Sequence, residues 1–177
     1  MKYYIISSDG LIIAESQNIL LMTYGIQPLP LPQDYEINKY IVVNGELVRN
    51  SDWDEEQFVK AKQLKYEEAL TKAYEYQENG TVEYKNCVFE MSKANRDNLR
   101  DTVEALTLMG ETETTWNDKN DKLVTLTIED IQYIRLNLIL SAIQKLWITD
   151  YPTYKSRIEQ AETIEEVEAI VIDYGEE

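Results

Sequence analysis

Carboxylates are the first candidates for chemistry in this sequence, because its 177 residues include 33 acidic residues and no histidine. Asp118, Asp121, Glu129 and Asp130 fall within the short stretch 118–130, where they could form an oxygen-only metal site. Their spacing, however, lacks the ordered ligand positions and the central glycine of a calcium loop. Asp130 is also needed to cap a helix. We therefore predict no metal site.

The nucleophilic side chains also lack a partner that could activate them. Cys87 is the sole cysteine, and it precedes Val88 and Phe89 in a strand-like run, which predicts a buried structural thiol. Ser92 and Ser141 have no plausible base in a chain without histidine. The six glycines do not cluster into a phosphate-binding loop. We predict no catalytic residue, no cofactor and no enzymatic activity.

Binding to another protein is the class of function that remains. The chain has 13 tyrosines and 3 tryptophans, residues that are frequent at binding surfaces. Trp116 is predicted to lie in a polar loop, 111–122, where it either folds back into the core or forms an exposed anchor. The predicted partner-binding residues are Trp116, Glu159, Glu162, Glu165 and Glu166.

The formal net charge of −16 bears on the partner. Residues 79–177 carry 20 acids against 10 bases, and no base follows Arg157. Such a surface repels nucleic acid and anionic membranes and favours a basic protein, although acid-rich faces often serve solubility alone. The most apolar stretch, 131–147, is interrupted by polar residues, and the first residues resemble a strand rather than a signal peptide. We expect a soluble, intracellular protein.

Two hairpins are predicted before residue 50. The strand-like runs at 2–16 surround Asp9-Gly10, and those at 38–49 surround Asn44-Gly45; both dipeptides favour tight hairpin turns. Prolines alternate with leucines at 28–32, which predicts an extended connector; a ligand for a proline-recognition domain is the alternative.

Helical patterns dominate the rest of the chain. Ser51 and Asp54 predict a capping box for a charged helix that stops near Asn79-Gly80. A β unit at 81–91 turns at Lys85-Asn86, and Ser92 opens a helix that ends at Gly110. Its apolar stripe is Leu99, Val103, Leu106 and Met109.

The C-terminal third contains the best candidate for a core helix. After a short strand or extended segment at 123–126, Thr127 and Asp130 predict a capped helix to Trp147. Its buried face is predicted to consist of Ile131, Ile134, Leu138, Ala142, Ile143 and Leu146. Another helix is predicted from Asp150 to Ala161, and Thr163 with Glu166 caps a last short one.

The predicted fold class is α+β. Residues 1–50 are predicted to form a small antiparallel sheet of hairpins, and residues 51–79 a charged connecting helix. Residues 80–177 are predicted to form a mainly helical domain with a short β-hairpin.

The stretch from Thr81 to Ile172 resembles an uncharacterised domain family of tailed phages and prophages, whose genes often lie among tail genes. The resemblance is carried by the 81–91 hairpin running into Ser92–Leu99, by Trp116, by Leu123–Thr127 before a helix, and by Ile158–Val167. The family usually has Asp-Gly at the hairpin turn, where this chain has Lys85-Asn86. The resemblance implies a phage context, in the host bacterial cytoplasm or in the virion, and supplies no site residues.

Two functions follow from these observations. The first is a non-catalytic accessory that binds a tail or tail-fibre protein. The alternative is an acidic inhibitor of a host defence nuclease, similar to an anti-CRISPR protein, which would block a basic nucleic-acid-binding surface by imitating phosphate charge.

Overall fold

A computed structural model of the chain describes residues 3–6, 12–16, 36, 39–43 and 46–175. The chain divides into two compact units, Met1–Ala61 and Lys62–Glu177. The predicted α+β class is confirmed: the described ranges contain helices and four two-stranded antiparallel sheets. The division into 1–50, 51–79 and 80–177 stays a prediction.

Both predicted hairpins of the first unit are confirmed. Strands β1 (Tyr3–Ile6) and β2 (Ile12–Ser16) pair with each other, as do β3 (Tyr40–Val43) and β4 (Glu46–Arg49). The turn dipeptides Asp9-Gly10 and Asn44-Gly45 lie outside the described residues, and so do the prolines at 28–32.

Helix α1 (Ser51–Asn79) begins at Ser51 as predicted, but the predicted capping box of Ser51 and Asp54 is wrong. Asn50 Oδ1 accepts the Asp52 N–H at 3.2 Å instead. The Asp54 carboxylate accepts two hydrogen bonds from the Arg49 guanidinium, each 2.6 Å long. These bonds hold the pKa of Asp54 below its ordinary value.

The end of α1 is where the sequence placed it. Gly80 N–H donates to the Tyr76 carbonyl at 2.8 Å, and a Cβ atom at Gly80 would clash with that same oxygen. Glycine therefore lets the chain turn directly from the helix into the next strand.

Strands β5 (Thr81–Tyr84) and β6 (Cys87–Glu90) form the predicted third hairpin. Lys85 and Asn86 have φ of 52° and 58°, as a two-residue turn with left-handed geometry requires. The side chains of Cys87, Phe89 and Met91 are buried on one face, so the prediction of a buried thiol at Cys87 is confirmed.

Helix α2 (Lys93–Met109) has both of its predicted caps. The Ser92 hydroxyl accepts the Asn95 N–H, and Gly110 closes the helix at φ 72°. The predicted stripe is only partly right, since Leu99 and Leu106 are buried whereas Met109 is 62% exposed.

The predicted polar loop at 111–122 is wrong. Residues Glu113–Asn117 form strand β7, which pairs with β8 (Leu123–Thr127). Threonines and a tryptophan favour a strand, and alternate side chains of β7 turn inward. Trp116 is therefore a strand residue packed against the core, which agrees with the first of its two predicted alternatives.

Residues 128–160 are helical throughout, so the predicted break before Asp150 is absent. α-Helical turns α3 (Ile128–Tyr133), α4 (Leu140–Lys145) and α5 (Tyr151–Gln160) are separated by two π-turns, at Ile134–Ile139 and Leu146–Asp150. In the π-turns, backbone N–H groups bond five residues back: Leu140 to Arg135, and Tyr151 to Leu146. The Thr127–Asp130 capping box is confirmed.

The first π-turn changes which residue enters the core. A straight α-helix would continue the face of Ile131 and Ile134 to Leu138, as the sequence predicted. The wider turn places Ile139 there, fully buried, and leaves Leu138 half-buried. The register predicted for Leu138 is therefore wrong, because the spacing rule assumes 3.6 residues in every turn.

The second unit has two clusters of buried side chains. One joins the β5–β6 hairpin, α2, β8 and the segment 128–139. The other joins Ala69, Ile158, Ile170 and Ile172, and it includes the chain that follows the short helix α6 (Ile164–Glu168). In the part of the chain that the structure describes, no helix is both long and apolar enough to cross a membrane.

The register of the π-turn can be tested by truncating single side chains. Ile139→Ala should lower the free energy of unfolding by about 2–5 kcal/mol, because it leaves a cavity in the core. Leu138→Ala should cost clearly less, and Leu136→Ala, at a 47% exposed position, should cost about 0.5 kcal/mol or less. Urea denaturation measures all three; a larger loss for Leu138 than for Ile139 would show a regular α-helix.

Candidate functional site

A groove about 400 Å³ in volume opens on the second unit, along the seam between the later turns of α1 and helix α5. We call it the tyrosine groove. It is lined by Gln63, Tyr66, Glu67, Leu70, Tyr151, Lys155 and Glu159. Its volume lies within the range of small ligand sites.

The helical periodicity of α1 and α5 brings these side chains onto one face of each helix. Tyr66 and Leu70 are four residues apart on α1, and Tyr151 and Lys155 are four apart on α5, so each pair shares one helix face. The helices meet because Ala69 is buried with Ile158 between them. A small side chain at this contact allows a close approach, and Tyr66 and Tyr151 pack over its edge.

Aromatic rings continue along the same seam. The rings of Tyr74 and Trp147 have centroids 5.1 Å apart, and those of Trp147 and Tyr151 are 5.5 Å apart with an edge-on geometry. Trp147 Nε1 donates to Gln77 Oε1 at 2.7 Å, which fixes the indole in place. Tyr151 is therefore the last of three aromatic rings in contact, and it lines the groove.

The groove has an acidic rim. It carries two carboxylates, Glu67 and Glu159, against one ammonium, Lys155. Burial raises the pKa of the Tyr66 hydroxyl, and the charge of Glu159 raises it further, so negative potential reaches the tyrosine. Gln63 donates to Glu67 at 2.9 Å. Lys62 Nζ donates to the backbone carbonyl of Glu159 at 2.9 Å, so a second lysine lies beside this end of the groove.

The predicted partner-binding residues are not all in one place. Glu159 lines the groove, whereas Trp116 lies in β7 and packs against the core cluster of the β5–β6 hairpin and α2. Glu162, Glu165 and Glu166 are exposed around α6. Their role in binding stays a prediction.

Glu166 has a local structural role. Its carboxylate accepts the Glu162 N–H at 2.7 Å, while Thr163 Oγ1 accepts the Glu166 N–H at 3.1 Å. The Thr163 bond caps α6, as the sequence predicted, and the Glu166 carboxylate holds the residue before the cap. A substitution at Glu166 therefore disturbs the helix start as well as the surface charge.

Asp130 joins the β5–β6 turn to the start of the long helical segment. Its carboxylate accepts hydrogen bonds from Tyr84 Oη at 2.6 Å, from Lys85 Nζ at 2.8 Å and from the Thr127 N–H at 3.0 Å. Burial opposes ionisation of Asp130, but these bonds outweigh it and hold the pKa below its ordinary value. The Asp130 carboxylate therefore has a structural role, since it links the β5–β6 turn to the start of α3.

Asp118 has a similar position between two hairpins. It accepts backbone hydrogen bonds from Val88, Asn120 and Lys122 at 2.8–2.9 Å. The bond from Val88 lowers the pKa of Asp118 most, although burial acts against it. Asp118 thereby shapes the β7–β8 turn and ties it to β6.

Sequence reasoning missed Tyr66, Glu67, Tyr151 and Lys155. Their four-residue spacing is visible in the sequence, but residues four apart also occur on the other helices that the structure describes. Only the packing of α1 on α5 shows that the two faces form one groove.

No protein-family model, curated protein or solved structure matches the chain.

The Asp130 network gives a pH-dependent prediction. A carboxyl whose pKa is lowered in the fold stabilises above its unfolded pKa of about 3.9, and the contribution is lost as pH falls. Asp130→Asn should therefore lower the free energy of unfolding by about 1–3 kcal/mol at pH 7, and the difference from wild type should shrink at pH 3. Urea unfolding at both pH values measures it.

Glu129→Gln is the matched control, because it removes the same charge at the exposed neighbouring position. It should leave stability within about 0.5 kcal/mol of wild type. An Asp130→Asn loss that is equal at both pH values would contradict the assigned ionisation of Asp130.

Proposed function

We propose that this chain is a non-catalytic protein-binding module, and that the tyrosine groove is its main contact surface. The observation that carries the proposal is the groove itself: supported aromatic rings, an exposed apolar side chain at Leu70 and an acidic rim combine on one face. Tyrosines at such sites supply large contact area with a polar tip at low entropic cost.

Two of the carboxylates considered as candidate metal ligands, Asp118 and Asp130, support the same proposal. Asp118 and Asp130 accept hydrogen bonds from backbone and side-chain donors of the fold. Cys87 is buried. Asp118, Asp130 and Cys87 thereby have structural roles in the second unit.

The context that we propose is a phage or prophage, with a tail or tail-fibre protein as the partner. The resemblance of residues 81–172 to the phage domain family supports this choice of partner class. The chain would then act in the host bacterial cytoplasm during assembly, or in the virion.

A second candidate function is the acidic inhibitor of a host defence nuclease. The exposed carboxylates Glu162, Glu165 and Glu168 favour it, since they stand near one another around α6 with no base following Arg157 in the sequence. A partner held by these residues would be a basic protein, bound mainly by charge.

Salt dependence separates the two functions. Tagged full-length chain, incubated with lysate of prophage-bearing cells, should capture a phage tail protein that mass spectrometry identifies and that 0.5–1 M salt does not release. Contacts made by buried aromatic rings persist at a Debye length of about 3–4 Å, whereas exposed charge pairs do not.

The variant Glu162→Gln/Glu165→Gln is the control for that experiment. It should retain the tail protein fully if the groove makes the contact. Capture of a basic nuclease that salt releases, and that this variant loses, would overturn the assembly function in favour of inhibition.

A further inference from the structure

The residues that line the tyrosine groove favour an occupant with an apolar stem and a positive charge. Its floor consists of the Tyr66 and Tyr151 rings together with Leu70, and all three side chains lie on the seam of α1 and α5. Such a floor suits an occupant with an apolar stem. Tyrosine faces also attract a cation, since the ring quadrupole is negative above its plane.

The rim supplies the complementary charge. Glu67 lies on α1 and Glu159 on α5, so each of the two helices that line the groove contributes one carboxylate. Phosphate groups and nucleic acid are disfavoured by the same two charges. The lining residues carry two negative charges and the one positive charge of Lys155, and Lys62 lies just outside them, bonded to the Glu159 carbonyl.

Support behind the rings makes this site preorganised. Tyr151 is held by edge contact with Trp147, whose indole N–H is bound to Gln77. Ala69 and Ile158 beneath the floor are fully buried. A side chain that enters therefore meets rings that need little reordering, which lowers the entropic cost of binding.

We propose that the tyrosine groove binds a lysine or arginine side chain from a basic segment of the partner protein. The aliphatic stem lies on Tyr66, Leu70 and Tyr151, and the cationic head lies between Glu67 and Glu159. The inference rests on the proposed function, because it names the chemistry of the partner at that surface.

The test uses full-length protein and two synthetic peptides. The probe is an acetylated, amidated heptapeptide with a central Lys-Gly-Arg, and its twin carries norleucine and citrulline in place of the two cations. Titration followed by ¹H–¹⁵N spectra should show binding of the cationic peptide with shifts confined to 63–70 and 151–159. The neutral twin should bind at least about fivefold more weakly, because it keeps the apolar stem but loses the positive charge.

Two variants of equal charge locate the site. Glu67→Gln/Glu159→Gln should weaken binding about fivefold, as expected for two partly exposed charge contacts. Glu162→Gln/Glu165→Gln should change it by less than about twofold, because these residues do not line the groove. Equal weakening by both variants, or shifts centred on 162–168, would show general attraction to an acidic protein and overturn the inference.

The same variants separate this inference from the proposed function. If the groove variant still captures the tail protein with full strength, the binding function stands and the groove inference fails. If wild-type protein captures no phage protein, the function fails, and the peptide titration alone decides whether the groove holds a cation.

Discussion

The packing of Ala69 on α1 is the constraint on which the tyrosine groove depends. Ala69 and Ala73 have no exposed surface, although α1 is rich in charged side chains. Ala69 belongs to one buried cluster with Ile158, Ile170 and Ile172, and a larger side chain there would overpack that cluster. This contact sets the separation of α1 and α5, and that separation gives the tyrosine groove its width. Tyr174 fastens the same region, since its hydroxyl donates to the Ala69 carbonyl at 3.0 Å.

The acidic residues of this chain fall into two groups with different physical roles. Asp118 and Asp130 are buried and accept several hydrogen bonds each, so their charges organise turns and a helix start. Glu67 and Glu159 are exposed, and both residues line the tyrosine groove. A carboxylate of the first group is costly to neutralise for stability, whereas one of the second group is available to a partner. Net charge alone does not distinguish these groups, but the location of each carboxylate does.

Much of the fold could be predicted from local chemistry, and the site could not. The Ser92, Thr127 and Thr163 caps and the Lys85-Asn86 turn are local features, which the sequence expresses within a few residues. Ile139 was missed because a π-turn changes the helical period, and no simple spacing rule marks where that occurs. Trp116 was assigned to a loop because its flanking residues are polar, although alternation along β7 and pairing with β8 make it a strand. The groove requires α1 to pack on α5, residues about ninety positions apart, and a pattern on either helix alone does not show that contact.

Hydrogen–deuterium exchange of the full chain, alone and in complex with its captured partner, tests the central claim most directly. The claim is that the chain acts by binding a protein through the tyrosine groove. It predicts slower exchange in the complex at 63–70 and at 151–159, where α1 and α5 line the groove, with α6 unchanged. Slower exchange confined to 162–168, with the groove segments unchanged, would contradict the account and assign binding to the exposed carboxylates around α6.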